Sequence, residues 1–141
     1  GCSRLDMMAN MPETLLTGSI DIRVRYAECD PMGVVHHTAY PVWFEMGRTE
    51  LLRETGVTYR EFEETGVFLA VINLTVTYKQ PARYDDLLRL TTSWLDAGRV
   101  KIRHCYELHR GDDLLVTGET TLACLDESGR PQALPDLLRS D

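Results

Sequence analysis

Apolar and polar residues alternate with a period of two in five stretches of the chain, and with a helical period in one. Ile20, Ile22, Val24 and Tyr26 alternate with Asp21, Arg23 and Arg25, the pattern of a strand buried on one face. Ile72, Leu74, Val76 and Tyr78 alternate with Asn73, Thr75 and Thr77 in the same way, so a strand is predicted around 71–78. A third covers about 87–96, with Leu88, Leu90 and Trp94 on one face and Arg89, Thr91 and Ser93 on the other. Ala97-Gly98-Arg99 turns the chain into a fourth strand, where Val100, Ile102, Tyr106 and Leu108 alternate with Lys101, Arg103 and Glu107. Arg110-Gly111-Asp112-Asp113 turns it again into a fifth, about 114–126, and that turn is the whole role of the Arg-Gly-Asp tripeptide. Short turns between successive strands imply antiparallel neighbours.

The helical period falls between the first two strands. Thr38 is placed as its N-cap, Pro41 falls in the first turn where no N–H is needed, and Gly56 stands where a left-handed C′ residue ends a helix. Ala39, Val42, Trp43 and Met46 form one apolar face, and Tyr40, Phe44 and Leu51 another. Two apolar faces predict a first half enclosed on both sides. The expected architecture is α+β: one strand, one long helix, then four strands, with the antiparallel sheet curled around the helix.

At 141 residues the chain fits one domain. No run approaches the ~18 apolar residues of a membrane span. The opening GCSRLDMMAN lacks the apolar core of a secretion signal, so a cytoplasmic setting is expected. A first residue of Gly rather than Met suggests processing or an appended segment. Residues 1–18 are set aside as an extension, and 19–141 are taken as the domain. Cys2, Cys29, Cys105 and Cys124 form no Cys-x-x-Cys pair, which speaks against structural zinc and fits reduced thiols. The net charge of −7 argues against nucleic acid as a partner.

Candidate chemistry lies in Glu28–Tyr40, ECDPMGVVHHTAY, which joins the first strand to the helix. It offers a carboxylate, Asp30, on a Pro-Met-Gly turn, followed by a helix amino terminus with unpaired N–H groups and a positive dipole. Such donors can hold the oxyanion formed when a carbonyl is attacked, and a facing carboxylate can be nucleophile or general base. The plainer alternative is that Asp-Pro merely starts a turn. Adjacent His36 and His37 point in different directions on a helix and make a poor chelating pair, so no metal site is expected. Cys29 alternates with Asp30 and should face away from it.

The run VRYAECDPMGVVHHTAYPVWFEMGRTELLRETG resembles the 4-hydroxybenzoyl-CoA thioesterase family of the hotdog superfamily, especially its branch of Tol-Pal-associated acyl-CoA thioesterases. The similarity continues through VTYKQPARYDDLLRLTT and into Arg130-Pro-Gln-Ala-Leu-Pro135, about residues 20–135 in all. The resemblance implies a hotdog fold, a five-stranded antiparallel sheet wrapped around one long central helix. It implies hydrolysis of an acyl-CoA thioester, with Asp30 as the catalytic acid. Gly33, Val34 and Val35 match the turn leading into the oxyanion-binding helix end, and His37 matches a histidine common in the Tol-Pal branch. Tyr40 belongs to the same motif. Glu45 falls where relatives carry an acid that can meet a polar acyl group, although an ion pair with Arg48 explains it equally.

Lys79 and Arg83 are the better candidates for coenzyme A phosphates. In the hotdog strand order Arg23, Arg25, Arg89, Lys101 and Arg103 would share one outer face, where a solvated role beside Asp21 and Glu107 is favoured. Trp43, Phe44 and Phe68 could line an aryl or an aliphatic acyl pocket. No cofactor is implied beyond the coenzyme A of the substrate. The strand around 71–78 is expected at a sheet edge that pairs with a second copy, giving a homodimer or a dimer of dimers (a homotetramer). The same fold also serves enoyl-thioester hydratases and dehydratases, and a non-catalytic acyl-CoA binding protein is a third possibility.

Overall fold

The computed structural model describes residues 16–138, apart from the side chains of Asp96, Ala97 and Leu137. Strand β1 (Leu16–Arg23) leads through a 3-10 turn (Tyr26–Glu28) and a loop to helix α1 (Ala39–Arg53). A short helix α2 (Tyr59–Glu64) follows, then β2 (Phe68–Tyr78), β3 (Leu87–Ala97), β4 (Lys101–Arg110), β5 (Asp113–Leu125) and a 3-10 turn (Asp136–Leu138). The five strands form one antiparallel sheet in the order β1-β3-β4-β5-β2, so β1 and β2 are its edges. The expected α+β architecture is present. Strand β1 begins at Leu16, three residues inside the stretch set aside as an extension.

Residue alternation puts Ile22, Leu88, Leu90, Leu108 and Val116 on the concave face, all buried under α1 with Tyr40, Trp43 and Phe44. Two glycines let the helix come close. A Cβ on Gly47 would run into Thr92 Oγ1 and lie 2.8 Å from Leu90 Cδ2. A Cβ on Gly118 would run into the ring of Phe44, which stacks on Tyr106 with centroids 4.2 Å apart. Neither glycine is there for a turn; each vacates the volume that an aromatic or aliphatic neighbour fills.

Four features depart from expectation. Val42 and Met46 are exposed, at 56% and 45%, so α1 is buried on the Tyr40–Phe44–Leu51 side and open on the other. Helix α2 was not anticipated, yet its start is written locally: Thr58 accepts from the Glu61 N–H while the Glu61 carboxylate accepts from the Thr58 N–H, a complete capping box. A bulge between Val71 and Asn73 interrupts the alternation of β2 and leaves Ile72 half exposed. Cys105 is disulfide-bonded, against the expectation of reduced thiols, whereas Cys29 and Cys124 are free.

A polar cluster lies under the second half of α1. The buried Arg48 guanidinium sits near the Tyr59 and Tyr106 hydroxyls, and Tyr106 shares a 2.6 Å hydrogen bond with Thr120. His104, sealed beside them, is pushed down to about 3, chiefly because burial disfavours its charged form and secondarily because Arg48 repels it.

Candidate active site

The segment between β1 and α1 is fixed at both ends by hydrogen bonds to other parts of the fold. Cys29 and Val35 bridge each other, Val34 bridges Arg83, the Val35 N–H donates 2.8 Å to the Ala82 carbonyl, and the His36 N–H donates 2.8 Å to the Glu28 carbonyl. The loop between is a tight turn in which the Asp30 N–H donates to the Val34 carbonyl at 2.8 Å. Gly33 takes φ of +81°, a conformation that L side chains rarely adopt, which accounts for glycine at this position. Asp30 Oδ1 accepts from the Met32 N–H at 2.8 Å and the Val34 N–H at 3.4 Å. Oδ2 has no protein partner among the described residues. The carboxylate is thus both a turn-former and an oriented acid with one oxygen uncommitted.

Glu28 anchors the loop to the helix. Its carboxylate accepts from Trp43 Nε1 at 2.8 Å, from the Arg25 N–H at 2.8 Å and from the Arg25 guanidinium at 3.3 Å. Burial alone would raise its pKa, but the Arg25 and Trp43 hydrogen bonds together outweigh burial and hold it below the usual glutamate value. Trp43 is only 1% exposed and packs in the core, with its Nε1 in this anchor. Phe44 is equally buried in its stack on Tyr106, and Phe68 lies at the opposite end of β2 from Tyr78.

A cavity of about 300 Å³ opens at the amino-terminal end of α1, lined by Val35, His37, Tyr40, Tyr78, Lys79, Gln80 and Pro81. Four sequence candidates, Val35, His37, Tyr40 and Lys79, therefore meet in one place. Asp30 and Gly33 stand on the turn next to the Cys29–Val35 bridge, outside that lining. Thr38 precedes the helix as expected, but its own backbone is already helical and its side chain makes no cap bond; Thr38 Oγ1 lies 2.8 Å from His36 Nδ1 instead. The His37 N–H has no protein acceptor among the described residues, while the His37 carbonyl accepts from the Tyr78 hydroxyl at 3.3 Å. Tyr78 also meets Tyr40 edge to face, with centroids 5.3 Å apart. Sequence reading took Tyr78 only as the end of an alternating strand; its position at the mouth of a cleft depends on β2 lying at the sheet edge.

Glu45 is exposed, with one carboxylate oxygen 3.9 Å from Arg48 Nη2. Arg83 is exposed, and its backbone N–H donates to Asp86. Four of the five outer-face cations are individually partnered: Arg89 with Asp21, Arg23 with Asp85, Arg25 with Glu28, and Arg103 with Glu119. Arg25 lies beyond the end of β1, so a single five-residue patch does not form. Among the described residues no three His, Cys, Asp or Glu side chains gather as metal ligands, and no helix is long and apolar enough to cross a membrane.

Comparison with known proteins agrees with this fold. The acyl-CoA thioesterase YbgC of Haemophilus influenzae is 33% identical over 119 residues, covering 83% of this chain and 88% of that protein. The acyl-CoA thioester hydrolase YbgC of Escherichia coli is 30% identical over 116 residues, covering 81% and 87%. The crystal structure of a DHNA-CoA thioesterase from Staphylococcus aureus superimposes with a TM-score of 0.82 at 30% identity, over 85% of this chain and 82% of that one. A 4-hydroxybenzoyl CoA thioesterase shares the fold, with a TM-score of 0.77 at 18% identity. The model of the thioesterase-like superfamily matches residues 24–140, and the chain belongs to that family as a hotdog thioesterase.

Proposed function

We propose that the protein hydrolyses acyl-CoA thioesters to a free acid and coenzyme A, with Asp30 as the catalytic carboxylate and the entry to α1 as the oxyanion site. The observation that carries this reading is an oriented carboxylate with an uncommitted oxygen on a turn that the Cys29–Val35 bridge joins to the segment in which His37, its N–H unpartnered among the described residues, lines a cavity of about 300 Å³. Asp30 either attacks the thioester carbon itself or takes a proton from the water that does. The carbonyl oxygen becomes an oxyanion beside the His37 N–H and the positive end of the helix. Collapse of the tetrahedral species breaks the C–S bond, and the departing thiolate takes up a proton. In the nucleophilic route water then opens the Asp30 acyl anhydride. Both routes need a carboxylate, water and backbone donors, and no resident metal or cofactor.

The relatives' names support a coenzyme A thioester as substrate. Lys79, at the rim of the cavity, suits the anionic end of such a substrate. The test is Asp30→Asn, which keeps the shape of the turn and removes the base or nucleophile. Turnover on the best acyl-CoA is expected to fall by at least ~100-fold with unchanged circular dichroism and melting. A variant as fast as the parent refutes the assignment.

The active unit in this reading is a dimer or a dimer of dimers. Edge strand β2 leaves Val71, Ile72, Leu74 and Tyr78 exposed, an apolar edge of the sort that soluble proteins cover. Isologous pairing of two β2 strands would cover it and place each cavity, with Tyr78 on its wall, at the seam. Light scattering at low micromolar concentration should give at least twice the 16.1 kDa chain mass; a fully active monomer rules the arrangement out.

A further inference from the structure

Away from the cavity, the surface near the catalytic loop carries two exposed tyrosines that the proposed chemistry leaves unused. Tyr26 and Tyr84 are 81% and 56% exposed and meet edge to face, with centroids 5.7 Å apart and planes at 83°. Interior packing does not require them there, since each ring is largely in water. Each is followed or preceded by an arginine: Arg25 next to Tyr26, and Arg83 next to Tyr84. Arg25 is mostly exposed and pairs with Glu28, whereas Arg83 makes no ion pair among the described residues. The one acidic neighbour of Tyr84, Asp85, is engaged by Arg23, which donates to its carbonyl at 2.7 Å and approaches its carboxylate at 4.0 Å. On a chain of net charge −7, this is a local aromatic and cationic surface whose nearest acids are occupied.

Its location follows from the backbone. Pro81 lines the cavity, and Tyr84 is three residues further on, at most about 11 Å away along the chain. Arg83 itself bridges Val34, within the turn that presents Asp30. A ligand with a reacting group at the cavity, a flexible arm, and a purine nucleotide at its far end would reach this ledge.

We infer that Tyr26 and Tyr84, with the Arg83 and Arg25 guanidinium groups, form the subsite for the adenine nucleotide of the coenzyme A substrate. The inference rests on the proposed hydrolysis of acyl-CoA. The purine stacks on an open tyrosine face, as bases do on exposed aromatic platforms in single-stranded nucleic acid sites. The phosphates meet Arg83, which can bind them in bidentate fashion. A second copy of the chain is the competing occupant of an exposed tyrosine pair, and the experiment below separates the two.

The test compares Tyr26→Ala/Tyr84→Ala with the parent on one acyl group carried either by coenzyme A or by pantetheine, which lacks the nucleotide. The expected result is a rise of about tenfold in KM for the acyl-CoA with kcat unchanged, and no change for the acyl-pantetheine. Binding of 3′,5′-ADP, measured by calorimetry, should weaken by a similar factor, and Arg83→Gln should weaken it as well. An equal change on both substrates, or none on either, overturns the subsite. A change of oligomeric state in the double variant overturns it too, because the ledge would then be an interface between copies. If the parent hydrolyses neither substrate, the proposed function fails, and 3′,5′-ADP binding alone still decides whether the ledge takes a nucleotide.

Discussion

Replacing Gly118 by Ala puts one methyl group between β5 and the helix, and the structure says what that methyl meets. Its carbon would run into Phe44 Cε2, lie 2.5 Å from Cζ, and lie 3.2 Å from the Thr75 carbonyl oxygen on β2. Backbone cannot yield easily on the β2 side, because β5 is paired with β2 and β4 along its whole length. Phe44 cannot yield easily either, being 1% exposed and stacked parallel on Tyr106. The substitution is therefore overpacking with no relief, a class that costs about 1–3 kcal/mol. The upper half of that range, about 2–3 kcal/mol, is expected here. It corresponds to a drop of roughly 5–10 °C in Tm for a chain of this size. Urea unfolding should show a lower midpoint at an unchanged slope. Phe44 lies one turn beyond Tyr40, so pushing its ring outward also displaces the cavity wall, and kcat should fall with stability. Phe44→Leu in the same chain should recover part of the loss, with a coupling of about 1 kcal/mol or more in a double-mutant cycle. A Gly118→Ala protein as stable as the parent would show that the helix does not rest on β5 in this way.

Two further predictions concern buried and exposed charge. His104 has an ordinary value near 6.5 when unfolded and about 3 when folded. The folded state therefore binds fewer protons, so the stability it contributes is complete above pH 6.5 and is lost as pH falls toward 3, at about 1.4 kcal/mol per pH unit. His104→Gln should flatten the decline in urea midpoint between pH 6.5 and 5, above the range where the lowered Glu28 titrates; equal slopes in both proteins would refute it. Glu45→Ala should change stability by less than ~1 kcal/mol, because its contact with Arg48 is long and its own side chain is exposed. If Glu45 meets the acyl end, the ranking of acyl-CoAs by kcat/KM changes; an unaltered ranking leaves it as a surface ion pair.

The fold was legible wherever apolar and polar residue types alternate. They do so in β1, β3, β4 and β5, although both faces are buried along Thr92–Leu95, His104–Leu108 and Leu115–Gly118. The alternation misleads in β2, where a bulge shifts the register after Val71 and both faces carry apolar residues. The helix was legible in position but not in burial. Val42 and Met46 read as core by residue type, and in the single chain they are exposed. Helix α2 was written in the Thr58–Glu61 spacing and was missed because six residues carry little periodicity. Within the site, Val35, His37 and Tyr40 were legible through the motif they share with a family, and Lys79 through its charge and its place beside the loop after β2. Tyr78 and Glu28 were not, since their roles depend on contacts across 41 and 15 residues of sequence that no local pattern encodes.

Those two contacts explain how a loop can hold a reacting geometry. A turn carrying an acid is by itself mobile, and catalysis needs the acid held against the helix end to within fractions of an ångström. Here the segment from Glu28 to Tyr40 is tied on one side to the core through Glu28 and Trp43 Nε1, a charge-assisted bond made inside the fold where water competes little. On the other side it is tied to the segment leading into β3 through the Val35–Ala82 bond and the Val34–Arg83 bridge. The Tyr78 hydroxyl adds a third tie, from the edge strand to the His37 carbonyl. A peptide whose carbonyl accepts a hydrogen bond is a better donor through the N–H on the far side of the same chain segment only by polarisation, a small effect. The larger effect is positional: Tyr78 fixes the plane in which the residues entering α1 lie. Because Tyr78 stands on the edge strand, the residue that ties the entry of α1 also belongs to the apolar edge that a second copy would cover in the proposed dimer.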